Sequence, residues 1–110
     1  MGGGPQPPAG RQLAVTVRFR SEAAADVALA RDWYDAQSPG LGDSFVDSLE
    51  QIVNLVTALP EAFPEIAAGL RRALLSRFPY ALYYRLDGSV IDVIACLHTR
   101  QSPRRWRSRG

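Results

Sequence analysis

The sequence predicts an α+β domain of order β-α-α-β-β-β, with a helical hairpin packed on one face of a small, mainly antiparallel sheet. Three observations carry that expectation. An alternating apolar segment opens the folded part, two stretches of helical periodicity follow, and three strand-like runs close it. The last two runs are joined by Asp87-Gly88, a pair suited to a two-residue hairpin turn because such turns need positive φ.

Leu13, Val15, Val17 and Phe19 alternate with Ala14, Thr16, Arg18 and Arg20, the period of two of a half-buried strand. Ser21 then offers an N-cap, with Glu22 and Asp26 near the start of an alanine-rich helix where its dipole favours anions. Ala23, Val27, Ala30 and Tyr34 fall on one face, and Ser38-Pro39-Gly40 ends the helix. In the second helix Phe45, Leu49, Ile52, Val56 and Leu59 step by four, three, four and three, and Pro60 stops it. Residues 60–69 are expected as a loop. Strands are expected over 70–78, 80–86 and 90–98. With Asp87-Gly88 at the turn, Tyr84 faces Ile91, Leu82 faces Val93 and Tyr80 faces Ala95, an apolar face for the helices. The opposite face then carries Tyr83, Arg85, Asp92, Ile94, Cys96 and His98, and reads as an open binding surface.

The bulk numbers fit one domain. A chain of 110 residues with 46% hydrophobic and 22% charged content supports a single modest core. Its one cysteine cannot form an internal disulfide, consistent with a reducing, cytoplasmic setting. No apolar run approaches the roughly 18 residues of a membrane span. The opening M-G-G-G-P-Q-P-P-A-G lacks the basic start and apolar stretch of a secretory signal. Residues 1–12 read as a flexible extension, 13–106 as the domain and 107–110 as a basic tail.

Net charge is only +2, yet it is segregated. From Ser21 to Glu65 nine acidic residues face Arg31 alone, a balance of −8; elsewhere twelve arginines face Asp87 and Asp92, a balance of +10. Either the halves pair with each other, or the second half binds a polyanion or an acidic segment. Nothing has the spacing of a zinc site, a P-loop or a hydrolase triad, so no metal or cofactor is expected.

Three blocks, W-Y-D-A-Q-S-P-G-L-G-D-S-F (33–45), R-R-A-L-L-S-R-F-P-Y-A-L-Y-Y (71–84) and L-H-T-R-Q-S-P-R-R-W (97–106), together resemble the ParE/RelE superfamily of bacterial toxins. The resemblance runs from about Val15 to Trp106. It implies the toxic half of a type II toxin–antitoxin module with a cognate antitoxin as partner in a hetero-oligomer. RelE-like members cleave mRNA on the ribosome and carry an arginine just after the tyrosine that opens the penultimate strand. Here Tyr80 is followed by Ala81. ParE-like members poison DNA gyrase without that catalytic set, and the F-P-Y and H-x-R-x-x-P-x-x-W blocks resemble that branch. The favoured expectation is therefore a ParE-like toxin acting on gyrase by binding. An mRNA endonuclease using His98 and Arg100, or a relative that only binds antitoxin, stands beside it. Gln101 and Ser102 replace an arginine and an acidic residue common before the family's proline.

The expected antitoxin- or target-binding residues are Arg71, Arg72, Arg77, Tyr83, Arg85, His98, Arg100, Arg104, Arg105 and Trp106. Arginine forks suit carboxylate or phosphate oxygens, and Tyr83 can stack on a base or pack on a partner helix. His98 has the one imidazole, but with no second base readable beside it the expectation is a structural or contact residue. Cys96, Trp33 and Tyr34 read as structural, and Arg107 and Arg109 as solvated tail.

Overall fold

A computed structural model describes residues 15–101, 107 and 109. The chain runs β1 (Thr16–Phe19), α1 (Ser21–Gln37), α2 (Leu41–Ala58), β2 (Glu65–Ala67), β3 (Leu70–Leu74), β4 (Tyr80–Asp87) and β5 (Val90–His98). The strands form one sheet in the order β1-β5-β4-β3-β2, with β1 parallel to β5 and the other pairs antiparallel. The α+β expectation holds. One short strand, β2, lies inside the segment expected as loop. Among the described residues no helix is long and apolar enough to cross a membrane.

Both helices form for the reasons their periodicity gives. Ala23 and Ala30 of α1 and Phe45, Leu49, Ile52 and Val56 of α2 are buried against Ala73, Leu82, Tyr84, Ile91 and Val93 of the sheet. The caps differ from expectation. Ser21 lies inside α1, and Arg20 holds the cap position without a side-chain bond to the helix amides. Gly40 takes the N-cap position before α2 at φ 90, a left-handed conformation that suits glycine. The free amides there are met from the other helix: Asp35 Oδ1 accepts from the backbone N–H of Gly40 at 3.0 Å and of Gly42 at 3.2 Å. Gly42 also brings the helices together, since a Cβ there would stand 2.6 Å from the carbonyl oxygen of Arg31.

The β4–β5 hairpin corrects the expected register. Asp87 pairs with Val90, so the turn residues are Gly88 and Ser89, and Gly88 takes φ 61. Tyr84 then faces Val93. Beyond it a bulge admits one extra residue on β5, so that Tyr83 pairs with Ala95, Leu82 with Cys96 and Tyr80 with His98. The shifted turn moves the pairing by two residues and leaves Ile91 and Val93 on the helix side, whereas the single extra residue of the bulge turns the β5 side chains beyond it to the other face. Cys96 joins the helix-side core, while Ala95 and Leu97 move to the far side.

That move also corrects the expectation of an open sheet face. Leu70, Ala81, Tyr83, Ile94, Ala95 and Leu97 form a second buried cluster, with Ile66 and Ala67 packed against it. Two more apolar side chains on this face, supplied by the bulge, make a second small core rather than a bare binding surface.

Candidate functional site

Two regions collect polar and aromatic side chains. The first is a charged rung on the far face of the sheet. Strand pairing sets Arg18 beside Asp92, and Asp92 beside Arg85. Arg18 Nε stands 3.4 Å and Arg20 Nη2 2.8 Å from the Asp92 carboxylate. The hydrogen bond from Arg20, aided by Arg18, holds this carboxyl below its usual 3.8 despite burial, which pushes the other way. Asp92 is therefore an internal counter-ion for the rung.

The expected binding arginines separate on this frame. Arg71 pairs opposite Tyr84, and its Nη1 donates to the carbonyls of Glu61 at 3.1 Å and Phe63 at 2.6 Å, with Glu65 3.6 Å from Nη2. It braces the connection between α2 and β2. Arg85 Nη1 donates to the Ala68 carbonyl at 2.9 Å, and its Nε is buried with no hydrogen-bond partner. Neither guanidinium is a free fork. Arg72 lies opposite Tyr83 and is half-buried. Tyr83 is only 3% exposed, which removes it as a stacking platform. Burial pushes its phenol up, against a smaller opposing pull from Arg72. Arg77 is exposed in the turn after β3, the one described non-glycine residue with positive φ, at 75°. Arg100 is exposed after β5. Arg104, Arg105 and Trp106 lie outside the described residues.

The second region is a groove of about 460 Å³ between α1 and the C-terminal half of β5. Leu29 and Trp33 of α1 form its rim at 70% and 58% exposure, so Trp33 is not the packing residue expected from sequence. Tyr34, Tyr80 and His98 line it further in. The aromatic rings touch edge-on: Trp33 to Tyr34 at 5.1 Å, Tyr34 to Tyr80 at 6.0 Å and Tyr80 to His98 at 5.3 Å. Leu29 and Trp33 are one helical turn apart, and this exposed pair was legible in the sequence only as part of an ordinary amphipathic helix.

The titratable groups of the groove are already engaged. His98 Nδ1 accepts from the backbone N–H of Arg100 at 3.1 Å, which leaves Nε2 to carry the proton of the neutral ring. The thiol of Cys96, 1% exposed, is pushed up to about 12 by burial, and Asp26 adds to the shift. It is no nucleophile at neutral pH. Asp26 accepts from the Cys96 backbone N–H at 3.0 Å and is held by both terminal nitrogens of Arg109, one of them at 3.2 Å. The Arg109 side chain is 15% exposed. The expectation of Arg109 as solvated tail fails, because a buried carboxylate needs a cation beside it. Arg107 is exposed. Among the described residues no group of three or more His, Cys, Asp or Glu side chains is placed to hold a metal ion. The groove is shaped to hold a side chain, with one imidazole N–H and two phenols on its walls.

Comparison with known proteins places this fold. The family described as the ParE toxin of type II toxin–antitoxin system, parDE, matches residues 17–103. Among solved structures, a chain of the one titled chromosomal ParDE TA system from P. aeruginosa superposes with a TM-score of 0.59 at 21% identity, covering 77% of this chain and 96% of that one. At that identity the likeness speaks for the fold. No curated protein matches. The family match spans the sheet from β1 through β5 and both helices, and on that ground the chain belongs to the family of ParE toxins of type II toxin–antitoxin systems.

Proposed function

We propose that this chain acts in the cytoplasm as the toxin of a type II module, poisons DNA gyrase by binding it, and is neutralised by a cognate antitoxin. The observation that carries a binding mode over a catalytic one is the state of the groove. Its carboxylate is paired with Arg109, its thiol is buried, and its histidine has one nitrogen engaged by a backbone amide with no second acid or base among the described residues bonded to it. A general acid–base mechanism needs two positioned groups. The exposed Leu29 and Trp33 instead suit an apolar side chain of a partner. The antitoxin contact therefore moves, in this reading, from the sheet face to the groove between α1 and β5. A structure titled as a ParDE toxin–antitoxin system shares the fold and supports an antitoxin partner here.

Inducing the protein without antitoxin tests the reading. Gyrase poisoning gives broken DNA and an SOS response while mRNA stays intact. Rapid A-site cleavage of mRNA with unbroken DNA overturns it in favour of an endonuclease. Absence of toxicity from soluble, folded protein overturns it in favour of a relative that only binds antitoxin.

A further inference from the structure

β1 ends at Phe19, and its pairing with β5 ends at Val93, so the half of β5 from Ile94 to His98 has no strand on that side among the described residues. An open edge carries unmet backbone groups and invites another chain to pair with it. Here side chains meet those groups. Asp26 Oδ2 accepts from Cys96 N–H at 3.0 Å, Gln101 Oε1 accepts from His98 N–H at 3.0 Å, and Arg109 Nη1 reaches the Ile94 carbonyl at 3.4 Å. Arg109 is tied a second time, its own carbonyl accepting from Arg20 Nη1 at 2.7 Å. Asp26 and Arg109 stand 83 residues apart in sequence, and both are largely buried at their contact.

We propose that Asp26 and Arg109 form a latch which closes the unpaired half of β5 and keeps this edge from pairing with a second copy of the chain. Arg109 lies beyond residues 17–103, so the latch is an addition to the part of the chain that the family match covers. Arg109 works as a positioning residue. Its guanidinium makes it possible for a buried carboxylate to sit at the strand edge, and the carboxylate in turn occupies the Cys96 amide. The proposal does not depend on the toxin's target.

The single cysteine lies within the closed edge and reports on it directly. In the full-length chain Arg109→Ala should raise amide exchange at Cys96, and the rate of Cys96 reaction with an aromatic disulfide reagent, by about tenfold or more. Exchange of the β4 amides should stay within about twofold, and light scattering should show concentration-dependent dimers where the wild type is monomeric. Should Arg109→Ala not fold, the double variant Asp26→Ala/Arg109→Ala removes the buried charge with its partner and is read the same way. Unchanged Cys96 exchange overturns the latch, and so does exchange that rises equally throughout the sheet. An opened edge without dimers overturns its role against pairing, as does a wild type that dimerises equally well. Failure of both variants to fold overturns the idea of a removable latch.

Discussion

Replacing Gly42 by alanine should destabilise the fold, although an exposed helical glycine normally gains about 1 kcal/mol from that change. The added Cβ would lie 2.6 Å from the Arg31 carbonyl oxygen and 3.1 Å from Asp35 Cβ. Ordinary contact begins near 3.4 Å, so α1 and α2 must separate by 3.4 − 2.6 = 0.8 Å at this point. The nearest atom is backbone and cannot rotate aside. Overpacking of this kind costs about 1–3 kcal/mol. The same shift loosens the bonds from Gly40 and Gly42 to Asp35, worth about 1 kcal/mol each. Setting these against the propensity gain leaves a net loss of about 2–4 kcal/mol, or about 10–20 °C in Tm for a domain this size. Urea and thermal unfolding followed by circular dichroism measure it. Gly40→Ala is the internal comparison. It meets no atom within 4 Å but must hold φ 90, and should cost about 1 kcal/mol. A Gly42→Ala protein as stable as the wild type, or more so, would refute the close helix contact.

Three further outcomes follow from the site. Trp33→Ala should leave Tm nearly unchanged, because the ring is 58% exposed, while weakening antitoxin binding by about 2 kcal/mol in titration calorimetry; equal affinity would remove the groove as the contact. His98→Ala should leave growth arrest and DNA breakage in place, and loss of toxicity from a folded variant would make the imidazole part of the mechanism. Asp92 is held below its usual 3.8 in the folded chain, so its stabilisation is present above that value and is lost as pH falls through the lowered folded one. Unfolding scans from pH 5 downward should therefore show a shallower acid slope for Asp92→Asn than for the wild type.

Periodicity alone carried the element order, the helical hairpin and most of the core, because Ala23, Ala30, Phe45, Leu49, Ile52 and Val56 recur at spacings that only a helix brings to one face. The three blocks of residues carried the family for the same local reason: their signal lies in neighbours along the chain. What only the tertiary structure decided depends on distant pairs. The hairpin register rests on which residue takes the positive φ of the turn, and the bulge after Val93 leaves no mark in an unbroken apolar run, V-I-A-C-L. That one extra residue moved Cys96 and His98 to the helix side and gave the far face a core of its own. The arginines were visible as charges, but their use as braces for the carbonyls of Glu61, Phe63 and Ala68 was not. The contact between Asp26 and Arg109 lay furthest from sequence reading. A carboxylate near the start of a helix is already explained by the helix dipole, and only the fold, by ending β1 at Phe19, leaves the neighbouring strand edge for it to close.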